Sequence, residues 1–307
     1  MSEPSPHAAP GDGGGAPPRL SVGVVGTGRA GAVLAAALHR AGHPIVAANA
    51  VSGVSRERAE ALLPTADLVD VPEVMARADL VLLTVPDDVL PGLVAGLVET
   101  GQVRQGQLLV HASGRYGYGV LDPATRAGAL PLALHPVMTL TGTSIDLARL
   151  SGCPFGVTAP DALRPIAEAL VLEMGGEPVW VEEGHRALYH AALAYSSNHL
   201  TTLVTSTLDL LRVAGVEAPD RLVTPLLSAT LDNALSYGDA ALTGPVSRGD
   251  AGTVAAHLRE LGAVSPEAQR VYIALARLTA DRAIATGRLR ADQAAPLLDI
   301  LASGENR

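Results

Sequence analysis

The chain has 307 residues, enough for two domains with separate cores, and its low aromatic share of 3% means those cores are built from Ala, Val and Leu. A net charge of −9 with no basic stripe argues against a nucleic-acid surface, and all 22 basic residues are arginine, so mechanisms that need a lysine acid, a Schiff base or a P-loop lysine are excluded. One cysteine, Cys153, no basic-then-apolar opening and no clean bilayer-length apolar run point to a soluble, cytoplasmic protein without a disulfide framework.

Residues 1–19 are Pro, Gly and Ala with few apolar anchors, a composition that predicts a disordered leader. An apolar strand over 20–25 then turns on glycines into a helix that runs to Arg40. Gly26, Gly28 and Gly31 supply G-x-G-x-x-G between strand and helix, where the motif needs it. Gly26 permits the tight turn, Gly28 leaves room for a pyrophosphate, and Gly31 allows close packing of helix on strand. The helix N-terminus offers unpaired N–H groups to phosphate, so Gly26, Thr27, Gly28, Arg29, Ala30 and Gly31 are the expected dinucleotide cradle.

The second strand, 44–49, ends in Asn49-Ala50-Val51-Ser52-Gly53-Val54-Ser55-Arg56-Glu57-Arg58. An NAD-preferring fold places an acid there for the ribose 2′-hydroxyl. Hydroxyls and arginines instead suit a 2′-phosphate, so NADP(H) is expected, with Ser52, Ser55 and Arg56 as candidate contacts. The competing reading makes Ser55 a helix cap with Arg56 and Arg58 on the exposed face. A short strand at 67–69 and a helix at 72–77 precede the apolar run 79–85, which has the pattern of a parallel strand buried on both faces. Thr84, Val85 and Pro86 at its carboxyl end should border the cofactor, with Asp87 and Asp88 capping the next helix.

Further strands are predicted at 107–111, 130–134 and 178–181, with a helix over 161–174, and this alternation is the doubly wound α/β signature. After Glu182 the strand signals stop. A helix over 184–213 is followed by others at 220–237, 251–261, 266–286 and 291–302. The expected organisation is therefore a leader at 1–19, an NADP-binding domain at 20–181 and an all-α domain at 182–307 carrying substrate and dimerisation functions.

Reduction of a carbonyl or imine by a nicotinamide needs a proton donor and a group to hold the substrate's anion. His135, Ser113 and His111 lie just beyond carboxyl ends of predicted strands and are the catalytic candidates. The structural alternatives are that His135 stacks on Pro136 and that His111 satisfies a backbone carbonyl. On the helical side, Asn198 either faces substrate or makes a packing hydrogen bond. Thr243 and Arg248 lie in a polar loop between helices, where Arg248 suits a bidentate carboxylate clamp and Asp250 a helix cap. The nine histidines show no zinc-type spacing, and no metal site is expected.

These motifs, with Leu134-His135-Pro136, Tyr189-His190-Ala191-Ala192, Ser197-Asn198-His199 and the stretch from Leu242 to Asp250, resemble a superfamily of two-domain oxidoreductases. It includes pyrroline-5-carboxylate reductase, ketopantoate reductase, prephenate dehydrogenase and 6-phosphogluconate dehydrogenase. More closely, the chain resembles a Rossmann-like bacterial family whose helical C-terminal half is a domain of unknown function. The resemblance implies a Rossmann doubly wound sheet followed by a 6-phosphogluconate dehydrogenase-like helical domain, and a homodimer formed through the helices.

Prephenate dehydrogenases carry a serine after one strand and a His-Pro about twenty residues on. Ser113 and His135-Pro136 are similar to that pair, which implies a shared role at the substrate hydroxyl. Several relatives use a lysine one turn before a helical asparagine; aligning that asparagine with Asn198 puts Ala194 at the lysine position, so their mechanism does not carry over. Thr243-Gly244-Pro245 resembles the carboxylate-binding region of pyrroline-5-carboxylate reductases. Together these imply an NADPH-dependent reductase of a small carbonyl or imine carboxylate. Ketopantoate, a substrate of pantothenate synthesis, is the first candidate and a pyrroline-5-carboxylate-type imine the alternative. A non-catalytic NADP-binding sensor is the reading from a different class.

Overall fold

The computed structural model describes residues 19–305. The predicted leader, apart from Arg19, lies outside the described residues. The chain divides into two compact units, 1–194 and 195–307, with the division inside the long helix.

The first unit is one eight-stranded sheet. Its strands are β1 (Val22–Val25), β2 (Ile45–Asn49), β3 (Asp67–Leu68), β4 (Leu80–Leu83), β5 (Leu108–His111), β6 (Leu130–Pro136), β7 (Pro154–Thr158) and β8 (Glu177–Trp180), in the spatial order β3-β2-β1-β4-β5-β6-β7-β8. The helices α1 (Arg29–Arg40), α2 (Gly53–Leu62), α3 (Val71–Arg77), α4 (Leu90–Glu99), α5 (Asp122–Arg126), α6 (Ser144–Arg149) and α7 (Arg164–Glu173) complete it.

Both faces of the sheet are covered, which is why the central strand β4 is apolar at every position. Leu80 and Leu82 of β4 point into a core shared with Val33, Leu34 and Leu170, whereas Val81 and Leu83 point into a second core with Met75, Val94 and Leu97. Every neighbouring pair is parallel except β6 and β7. There the chain leaves β6 at Pro136 and re-enters the sheet beside it at Phe155, with only the short α6 between, so β7 must run back. The strand order reverses between β1 and β4, and the crevice at their carboxyl ends is the ligand position of such sheets.

The long helix α8 (Arg186–Val213) begins in the first unit and ends in the second, which also holds α9 (Pro219–Tyr237), α10 (Ala251–Val264), α11 (Pro266–Ala285) and α12 (Ala291–Glu305). Val254, Leu258, Ile273, Leu297 and Leu301 form a core among α10, α11 and α12. Asp250 caps α10 as its position suggested, accepting from Thr253 N at 3.0 Å. The threonines that crowd α8 are satisfied by their own helix: Thr201, Thr202, Thr205 and Thr207 donate to carbonyls one turn back. No helix of the described residues is long and apolar enough to cross a membrane.

Candidate active site

The three motif glycines differ in what surrounds them. Gly26 has φ +93°, and a Cβ there would stand 2.8 Å from the Thr84 carbonyl oxygen. A Cβ on Gly31 would collide with the Gly26 carbonyl oxygen and Thr84 Oγ1. At Gly28 the nearest atom to such a Cβ is 4.0 Å away, so the space above it is open. Gly28 is also the N-cap of α1; no side chain caps that helix end and its first turn carries no acid. A helix N-terminus left bare above an open glycine fits a dinucleotide phosphate. Thr84 at the end of β4 locks the turn by donating to the Gly26 carbonyl at 2.7 Å, and Val85 packs close to the same glycine.

Several residues expected to touch cofactor are committed elsewhere. Thr27 is fully buried, and its hydroxyl donates to the Ser55 carbonyl at 3.1 Å, so it pins the turn to α2 instead of offering a hydroxyl to phosphate. Ser52, not Ser55, is the N-cap of α2, and the two close a capping box: Ser55 N donates to Ser52 Oγ at 3.1 Å and Ser52 N to Ser55 Oγ at 3.0 Å. Both hydroxyl protons are spent inside that box, Ser52 Oγ on Ser55 Oγ and Ser55 Oγ on the Ser52 carbonyl. The cations remain. Arg56 lines a cleft of about 500 Å³ at the end of β2 together with Asn49, Glu60 and Asp70. Arg58, passed over as a contact, donates to the Thr27 carbonyl at 3.3 Å, and Arg29 and Arg58 both reach the α-carbon of Gly142.

Beyond β5 the chain makes a tight turn at residues 112–119. His111 is fully buried and neutral: its Nε2–H donates to the Gly117 carbonyl at 2.9 Å and its Nδ1 accepts from Ser113 N at 3.2 Å. Burial pushes its pKa down to about 4. With both nitrogens engaged by backbone, His111 pins this turn. Ser113 Oγ accepts from Arg115 N and Tyr116 N, both at 3.2 Å, which fills its two lone pairs and leaves its proton free to donate. Asp87 and Asp88 do not cap α4; the residue preceding that helix is Val89, and no side chain caps it.

His135 is half-buried near the end of β6, with Nδ1 2.9 Å from the Tyr189 hydroxyl on the first turn of α8. The two rings meet edge to face, and His190 approaches His135 in the same manner from the next position. Glycine at 114 makes this possible, since a Cβ there would lie 2.9 Å from His135 Nε2 and 2.7 Å from the His190 ring. Burial first, then the charge of Arg186 and the neighbouring His190, hold the His135 pKa down at about 4, so the imidazole is neutral at pH 7. A phenol donates better than a neutral imidazole N–H and imidazole nitrogen is the better acceptor; Tyr189 therefore donates to Nδ1 and the ring proton sits on Nε2.

Arg186 is the residue that motif reasoning missed. It is 1% exposed and donates to three carbonyls: Tyr116 from Nε at 2.8 Å, Gly156 from Nη1 at 3.2 Å and Ser113 from Nη2 at 3.2 Å. Glu183 completes the attachment by accepting from Tyr118 N at 2.9 Å and Gly119 N at 3.0 Å. These bonds bring the Ser113 turn, β7 and the start of α8 to one place, with His135 and Tyr189 beside them. The other expected substrate contacts belong to the second unit, where Asn198, Thr243 and Arg248 are all solvent-exposed.

Residues 6–136 match the Rossmann-like domain and residues 153–279 match the domain of unknown function DUF2520. None of the curated proteins matches the chain. Among solved structures, the chain is similar to a Bacteroides fragilis protein proposed to be an NADP oxidoreductase, at 23% identity over 86% of this chain and 98% of that one, with a TM-score of 0.72. It is also similar to an imine reductase from a Pseudomonas species, at 19% identity over 88% of this chain and 99% of that one, TM-score 0.64. A Myxococcus stipitatus imine reductase in complex with NADP+ matches at 19% identity over 87% and 94%, TM-score 0.60. At these identities the likeness is one of fold.

Two outcomes follow. Gly28→Ala is expected to keep the thermal midpoint of the parent while weakening NADPH binding roughly tenfold or more, because only the open space is filled; Gly31→Ala is expected to lower the midpoint itself. Both are checked by thermal melts and fluorescence titration with NADPH. Secondly, His111 and His135 titrate near pH 4 when folded but near 6.5 when unfolded, so the unfolded state alone takes up protons in that window. Stability should fall as pH drops from about 6.5 towards 4, and His111→Gln should flatten the slope in denaturant melts run across that range.

Proposed function

The chain is a Rossmann-like domain joined to a DUF2520 domain, and on that premise we propose that it is an NADP(H)-dependent oxidoreductase that reduces a small carbonyl or imine carboxylate. The observation that carries the reading is the His135–Tyr189 pair, whose Nδ1 to hydroxyl distance is 2.9 Å, held against Gly114 and the Ser113 turn. The bare N-terminus of α1 above Gly28, with Arg29, Arg56 and Arg58 nearby, fits the phosphates of the cofactor. When bound, NADPH supplies the hydride.

What the protein contributes is a proton and its placement. Neutral His135, with Nδ1 accepting from Tyr189, keeps its proton on Nε2, the donor to the oxygen or nitrogen that becomes basic as the substrate is reduced. As that proton transfers, the Tyr189 proton moves to Nδ1; the site resets when Nε2 takes a proton from water as Nδ1 returns its own to the Tyr189 oxygen. Ser113 can only donate, which suits it to hold the same substrate atom. Each proton that reaches the substrate is thus replaced through a neutral ring, and no step needs an imidazolium at pH 7.

Ketopantoate is the first substrate we propose, on the resemblance to ketopantoate reductases; the fold shared with imine reductases favours a cyclic imine carboxylate as the alternative. We further propose that the helical unit forms a homodimer. Leu200 and Leu203 of α8 and Leu222, Leu226, Leu231 and Leu235 of α9 are exposed, more large apolar surface than two helices leave in water without a partner, and a second copy is the commonest one. Light scattering should return twice the chain mass; a monomer at micromolar concentration contradicts it.

The catalytic reading is tested by mixing the protein with NADPH or NADH and a panel of 2-oxo acids, ketopantoate included, and cyclic imines. Oxidation of NADPH with one class is expected. His135→Ala and Tyr189→Phe should each lower kcat by on the order of a hundredfold; rates near the parent's would overturn the assignment. Tight NADPH binding with no oxidation across the panel would favour the non-catalytic sensor instead.

A further inference from the structure

Arg186 is a full positive charge removed from water, and among the described residues no carboxylate lies within ion-pair distance of it. Its hydrogen bonds all go to neutral carbonyls, those of Ser113, Tyr116 and Gly156. A structural clamp for three carbonyls needs donors, not charge, and burying an unpaired cation is costly. The titratable groups that interact with it are His111, His135, Tyr189, Asp87 and Glu183, with His190 next to His135 and Cys153 acting on Tyr189; the two acids act on it only at a distance. Of these, Tyr189 shares a ring contact with it. The guanidinium carbon is 5.5 Å from the centre of the phenol ring, and a Cβ at Gly156 would touch both the Tyr189 hydroxyl and Arg186 Nη1.

We propose that Arg186 is the positioning residue of this site: it fixes the Ser113–Gly114 turn against His135, and its unpaired charge stabilises the negative charge that develops on the Tyr189 oxygen when its proton moves to His135 Nδ1. This rests on the reductase reading above, which supplies the proton transfer. The same charge disfavours a proton gained at His135 without one lost at Tyr189, so the pair shifts protons in concert. Gly156 is part of the device, since any side chain there would push the phenol from the cation. No atom of Arg186 need touch the substrate.

The charge is separable from the hydrogen bonds. In Arg186→Lys the charge stays and the fork of donors is lost; in Arg186→Gln donors stay and the charge is lost. Proton-detected titration of the full chain, with His135→Phe and Tyr189→Phe used to assign the resonances, reads both groups without any substrate. The expected result is that Arg186→Gln raises the His135 and Tyr189 midpoints by about one unit or more while Arg186→Lys leaves both near the parent. Where turnover is measured, Arg186→Gln should lower kcat by about tenfold or more with NADPH affinity unchanged, and Arg186→Lys should restore most of it. If Arg186→Gln leaves both midpoints in place, or Arg186→Lys moves His135 into the ordinary imidazole range, the proposal fails; the lysine variant decides this even if the glutamine variant does not fold. Shifted midpoints in a protein that turns nothing over would count against the reductase reading and leave the electrostatic role of Arg186 standing.

Discussion

The first unit depends on a single buried guanidinium. Arg186 enters at the first turn of α8 and ties the carbonyls of Ser113, Tyr116 and Gly156 to that turn. Without it, the carbonyls of Ser113 and Tyr116 in the irregular segment after β5 would lose the donor that holds them. Glu183 does the reciprocal work on the N–H groups of Tyr118 and Gly119. Between them they make an irregular turn as well determined as a strand, which is the condition for keeping His135, Tyr189 and Ser113 in a working arrangement.

The second constraint is topological. Strand order reverses between β1 and β4, so their carboxyl ends part and leave the crevice into which Gly26, Gly28 and Thr84 project. Two different economies meet there. On the glycine side, the open surface is backbone and glycine, and side chains such as Thr27 and Ser55 hold that backbone in place. On the β6 side, side chains line the site, with backbone from the Ser113 turn against them. The antiparallel return of β7 belongs to this second half, because it places Gly156 beside His135 in register and under the Tyr189 ring.

What could be read in the sequence was what local chemistry determines. The glycine turn was legible because its spacing, its strand and its helix all lie within about twenty residues; His135 drew attention as lying beyond a predicted strand end and before a proline, and the strand in fact runs on through both. Where one residue type serves two ends, the sequence was ambiguous: Ser55 fits a phosphate contact and a helix cap, and the fold makes Ser52 the cap, with Ser55 closing a capping box against it. His111 had the same ambiguity, resolved by two backbone partners within six residues of it. Arg186 carried no signal of its own. Its importance comes from carbonyls 30 to 73 positions away in the chain, and only the folded sheet brings them together. The one hint was compositional, an arginine and a tyrosine opening a helix in a chain that has no lysine to offer as an alternative cation.

The account rests on a neutral His135, protonated at Nε2 and sensing a cofactor bound in the neighbouring crevice. Nitrogen-detected NMR of the imidazoles at pH 7, in the free protein and with NADP+ added, tests it most directly. The expected spectrum shows His135 as the Nε2–H tautomer in both states, with its resonances moved by NADP+. An imidazolium at pH 7, the opposite tautomer, or a His135 signal indifferent to saturating NADP+ would contradict the account.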